Sequence, residues 1–69
     1  MNKFAKNLSH LLKSCGVSQD ELAKRLNVKQ QTVSRYAGGV AEPSFDILIE
    51  IAKFFDVSAD YLLGIKDDY

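Results

Sequence analysis

Between Lys29 and Ala37 the chain reads Gln-Gln-Thr-Val-Ser-Arg-Tyr, a run with two carboxamides, two aliphatic hydroxyls, one phenol and one guanidinium but no carboxylate. On a helix turning about 100° per residue, Gln30, Ser34, Gln31 and Arg35 share an arc of about 140°, while Thr32, Tyr36 and Val33 point the other way. A carboxamide presents a donor beside an acceptor, which matches N6 and N7 of adenine. A guanidinium fork matches O6 and N7 of guanine. The chemistry on offer is therefore hydrogen bonding to base edges. On an isolated helix the same run would be plain solvated surface, so its meaning depends on the elements that hold it.

Other chemistries fail on inventory. His10 is the single histidine, and its helix offers no carboxylate or thiol partner nearby, so a surface or capping role fits it better than general-base work. One histidine and one cysteine cannot supply a structural zinc set, and Asp67-Asp68 lacks the spacing of a calcium loop. An enzyme is not expected, nor a metal, cofactor or small-molecule ligand. Cys15 is alone, so it cannot form an internal disulfide. Its place on an apolar stripe predicts a small core residue in a reducing compartment.

The stripe belongs to a first helix, where Phe4, Leu8, Leu11, Leu12 and Cys15 recur at helical spacing and Gly16 ends the run. Ser18-Gln-Asp-Glu21 has the form of a capping box and predicts a second helix with Leu22, Ala23 and Leu26 inward. Asn27, a residue that tolerates the left-handed conformation, predicts a sharp turn after about two helical turns. A third helix is expected from about Gln30 to Ala37, stopped by Gly38-Gly39. Ser44 predicts the start of a fourth, with Ile47, Leu48, Ile51, Ala52 and Phe55 on its buried stripe. Ser58 predicts a fifth, carrying Leu62 and Leu63 and ending near Gly64. No strand-like alternation and no repeat is present, so the fold class is all-α.

A chain of 69 residues that is 46% hydrophobic is one small domain, residues 1–69, with no apolar run long enough to span a bilayer. The N-terminal Met-Asn-Lys-Phe-Ala-Lys lacks the apolar stretch of a secretion signal, which predicts a cytoplasmic location. The nine basic and nine acidic side chains cancel, which taken alone argues against a nucleic-acid partner. Their positions reverse that argument. Residues 1–40 hold seven basic and two acidic side chains, net +5, whereas residues 41–69 hold two and seven, net −5. One half is suited to an anionic partner and the other faces elsewhere.

Two short helices joined by about three residues must cross steeply, which requires a small residue at the contact, a turn residue, and buried positions on the second helix. Ala23, Asn27, Val33 and Tyr36 meet these demands together. Here the sequence resembles the helix-turn-helix domains of the phage repressor and Cro family, also called the XRE family. Val17-Ser-Gln-Asp-Glu-Leu-Ala-Lys-Arg-Leu-Asn-Val28 resembles the first motif helix and its turn, and Lys29-Gln-Gln-Thr-Val-Ser-Arg-Tyr36 resembles the recognition helix. Pro43-Ser44 and the segment Phe55-Asp-Val-Ser-Ala-Asp-Tyr-Leu-Leu63 resemble the last two helices. The likeness covers nearly the whole chain and implies a compact five-helix, lambda-repressor-like domain, with the motif at about residues 19–38.

The resemblance implies a sequence-specific binder of double-stranded DNA, a transcriptional repressor reading a palindromic operator through its third helix. It places base reading at Gln30, Gln31, Ser34 and Arg35. Helix N-termini attract phosphate, so Gln19 and Ser44 are expected at phosphates, joined by Lys29 and Thr32. Two positions depart from the family pattern. Lys29 stands where a serine or threonine cap is common, and Ala37 stands where a glutamate is frequent. The following loop, Val40-Ala-Glu42, lacks basic residues, leaving the amides of Gly38 and Gly39 as the loop's expected route to a phosphate.

Ile49 falls opposite the core stripe of the fourth helix, and Tyr61, Ile65 and Tyr69 add apolar surface near the C-terminus. They are expected to form a homodimer contact that pairs two motifs on DNA. The alternative is an antitoxin or adaptor that holds a protein partner on this same surface.

Overall fold

Asn2, Ser18, Ser44 and Ser58 each start a helix by accepting a hydrogen bond from an amide three residues on: Ala5 (2.7 Å), Glu21 (3.0 Å), Ile47 (3.3 Å) and Tyr61 (3.0 Å). In this computed structural model, which describes residues 2–67, the helices are α1 (Lys3–Ser14), α2 (Gln19–Leu26), α3 (Gln30–Ala37), α4 (Phe45–Phe55) and α5 (Ala59–Leu63). The described residues contain no strand, and no helix is long and apolar enough to cross a membrane. The expected order and boundaries hold. The Asn2 cap adds a start signal that the sequence reading passed over.

The helix ends share one device. Gly16, Asn27, Gly39, Asp56 and Gly64 all have positive φ, and the residue after each donates back across the last turn: Val17 to Leu12 (2.9 Å), Val28 to Ala23 (3.0 Å), Val40 to Arg35 (3.0 Å), Val57 to Ala52 (2.9 Å) and Ile65 to Asp60 (2.8 Å). These bonds satisfy carbonyls that a helix end leaves open. At Gly64 the requirement for glycine is doubled, because a Cβ there would also collide with the Lys3 side chain.

The core draws on every helix. Leu8, Leu11, Leu22, Val33, Ile51 and Leu62 are the largest fully enclosed side chains, and the Phe4 and Tyr36 rings meet edge to face with centroids 6.4 Å apart. Burying each leucine or isoleucine in this way contributes roughly 1.5–3 kcal/mol. α1 lies against α3 and α5, α2 packs on α3, and α4 joins α5 and α2.

Two expected positions change. Cys15 is exposed, not in the core: α1 ends at Ser14, Cys15 caps it, the chain turns at Gly16, and the next residue to pack on the core is Val17. Tyr61 is buried at 7% exposure, so its ring belongs to the core and not to the C-terminal surface. Of the two leucines that α5 carries, Leu62 is buried and Leu63 exposed.

Candidate nucleic-acid interface

The α2–α3 pair is set by its buried faces. Asn27 takes the left-handed conformation (φ 59°, ψ 44°) and turns the chain after α2. Ala23 is 2% exposed at the crossing, Val28 packs on the core from the turn, and Val33 and Tyr36 are buried beneath α3. With that face fixed inward, geometry puts Gln30, Gln31, Ser34 and Arg35 outward, and all four are exposed. Gln31, Thr32, Ser34 and Arg35 border an open hollow of about 430 Å³.

Two side-chain bonds steady this surface. The amide of Gln30 donates to the side-chain oxygen of Gln19 at 3.3 Å, joining the first residues of α2 and α3. The Ser9 hydroxyl of α1 donates to the carbonyl of Ala37, the last residue of α3, at 3.1 Å. The first-turn backbone amides of α3, by contrast, have no side-chain acceptor from the residue before it. Lys29 precedes it with no side-chain capping bond, as the missing serine or threonine predicts.

The phosphate candidates fall into different situations. Gln19 accepts from Gln30 and keeps its own amide hydrogens. The Ser44 oxygen accepts from the Ile47 amide, leaving the hydroxyl proton to donate. Lys29 is exposed and Thr32 half-buried. The amides of Gly38 and Gly39 are not available as expected, because they donate to Ser34 and Tyr36 at 2.9 and 3.2 Å to close the end of α3.

Neighbouring basic groups are divided in role. Lys24 pairs with Asp20 at 3.3 Å on the exposed side of α2, a bond worth little in water. The Arg25 guanidinium lies over the Phe54 ring, 5.7 Å from its centroid, tying α2 to α4. Sequence reasoning missed this contact, since nothing local links positions so far apart. Lys29 and Arg35 form no ion pair among the described residues, so both charges remain open to an anion.

A short steep helix pair, with its second helix offering donors and acceptors from one exposed face, defines a helix-turn-helix protein. The helix-turn-helix family model matches residues 8–62, and the chain belongs to this XRE-type family of DNA-binding transcriptional regulators. That family is not one of enzymes.

The chain is 35% identical over 65 residues to the transcriptional regulator ImmR of Bacillus subtilis, covering 94% of this chain and 50% of ImmR. It is 36% identical over 52 residues to an uncharacterized helix-turn-helix transcriptional regulator of Methanocaldococcus jannaschii, covering 75% and 79% of the two chains. The crystal structure of a transcriptional regulator from Listeria innocua superposes with a TM-score of 0.87 at 39% identity, covering 93% of this chain and 60% of that one. The chain thus spans about half the length of curated relatives such as ImmR.

Proposed function

We propose that this regulator is a cytoplasmic, sequence-specific repressor that lays α3 in the major groove of a palindromic operator. Two copies occupy the site, one motif per half-site, with half-sites about one helical turn apart. The observation that carries the reading is the exposed row of Gln30, Gln31, Ser34 and Arg35 on a helix whose opposite face is locked by Val33 and Tyr36. Gln30 and Gln31 read adenine, Arg35 reads guanine, and Ser34 bonds to whichever base edge it meets. Gln19, Lys29, Thr32 and Ser44 hold phosphates and fix the register. Repression follows from occupying promoter DNA.

Enrichment from pooled random duplexes tests this directly. Selection of one symmetric sequence, with affinity falling steeply as salt rises, is the expected result. Flat enrichment with weak salt dependence overturns it.

A second reading concerns the other half of the molecule. Ile49 and Ile65, expected at a homodimer contact, are exposed, as are Phe45 and Leu63; Tyr69 lies outside the described residues. This surface supports a protein-interaction role, as in an antitoxin or adaptor, that coexists with DNA binding.

A further inference from the structure

Phe45, in the first turn of α4, is 84% exposed. With Phe4, Glu42, Pro43, Leu48 and Leu63 it lines a groove of about 180 Å³. Ile49 lies one turn along α4 from Phe45, on the same side of that helix, and Ile65 follows the end of α5; both are exposed.

The helix ends supply a second observation. At each end an apolar β-branched residue follows the left-handed one, and that residue ordinarily packs on the side chain whose carbonyl it bonds. Val17, Val28 and Val57 bond back to Leu12, Ala23 and Ala52 and pack on the core cluster to which those three residues belong. Val40 and Ile65 bond back to Arg35 and Asp60, both charged and themselves exposed, and they stay 70% and 71% exposed. Ile65 therefore has an apolar side chain that the fold itself leaves uncovered, two residues along the chain from Leu63 of the groove.

Charge selects the occupant. Glu42 lines the groove, Asp46 and Glu50 adjoin Phe45 and Ile49 on α4, and Asp60 lies one turn from Leu63 on α5. None of these carboxylates forms an ion pair among the described residues. Lys53 is the cation on α4, and Lys3, against Gly64, and Lys66, next to Ile65, are cations at the α5 end, so the uncompensated acidic groups are Glu42, Asp46 and Glu50 at the Phe45 end. A second copy seated here by twofold symmetry would press like rims together. A segment with lysine or arginine beside its apolar residues would neutralise them instead.

We infer that this groove docks an apolar protein segment flanked by basic residues, and not a second copy of the chain. The inference rests on the second reading above, that the chain holds a protein partner. The test is a displayed random-peptide library selected on the wild-type chain and counter-selected on a Phe45→Ala/Leu63→Ala variant. Circular dichroism and duplex enrichment show whether that variant stays folded, and Asp46→Asn/Glu50→Gln, which alters exposed side chains only, provides an independent arm.

Enriched peptides are expected to combine large apolar residues with lysine or arginine. A selected peptide should lose about tenfold or more in affinity on Phe45→Ala, weaken on Asp46→Asn/Glu50→Gln, and bind less tightly at high salt. No enrichment beyond the counter-selected variant overturns the proposal, as does enrichment without basic residues. So does a sedimentation profile in which the wild type is dimeric and Phe45→Ala monomeric. Loss of duplex selectivity in the wild type would sink the operator reading while leaving the peptide result standing.

Discussion

Gln19 and Gln30 are bonded side chain to side chain at 3.3 Å, although α2 and α3 hold them eleven positions apart. The contact is exposed, so it adds little to stability. Its effect is on orientation. Gln30 gives one amide hydrogen to Gln19 and keeps its oxygen and its second hydrogen, which are the acceptor and donor that adenine requires. Removing either glutamine should therefore cost operator affinity partly through the other. A double-mutant cycle with Gln19→Ala and Gln30→Ala is expected to show a coupling of about 0.5–3 kcal/mol on the selected operator and almost none on unrelated duplexes. Strictly additive losses would mean that the two side chains act independently.

Arg35 and Lys29 form no ion pair among the described residues, yet they should fail differently. Arg35 is on the outward face of α3, so Arg35→Ala is expected to cost roughly 1–3 kcal/mol and to relax preference at one base pair. Lys29 precedes the helix, so Lys29→Ala should weaken all duplexes alike and reduce the salt slope by about 1. Ranking a panel of single-base operator variants separates the two. If Arg35→Ala leaves that ranking intact, the arginine is a phosphate contact and not a reader.

The angle between α2 and α3 depends on Asn27, whose φ of 59° lies where most side chains are strained. Asn27→Gly should be nearly neutral, while Asn27→Val should destabilise the domain by roughly 1–2 kcal/mol. Urea denaturation of both variants measures this. Equal stability of the two would show that the turn tolerates another backbone conformation.

Much of this architecture was legible because its signals are local. Ser18, Ser44 and Ser58 act on amides three residues away, and Asn27 acts on its own φ, so sequence alone placed the helix boundaries and the motif. The outward row on α3 followed from periodicity once Val33 and Tyr36 were assigned inward. The errors came where an element stops or where distant segments meet. Cys15 continued a stripe past the end of its helix, and the ring of Tyr61 was drawn into the core when α5 packed on α1. The Gly38 and Gly39 amides were assigned to a ligand, although closing α3 already required them. The Gln19–Gln30 bond and the Arg25–Phe54 contact depend on how helices are placed in space, which no spacing in the chain encodes.

Lys29 also allows stability and DNA affinity to be pulled apart. The position before α3 lacks a side-chain cap, and a serine there could accept from an amide in the first turn as Ser18 does for α2. Lys29→Ser should therefore stabilise the domain by about 1 kcal/mol, raising Tm by about 4–8 °C. It also removes a positive charge from the expected phosphate contact, so affinity for every duplex should fall as it does in Lys29→Ala. The alanine variant removes the charge without adding a cap and should show the affinity loss with no gain in Tm. If Lys29→Ser instead binds DNA as tightly as the wild type while melting higher, the lysine serves no phosphate, and its effect on binding runs only through the order of the first turn of α3.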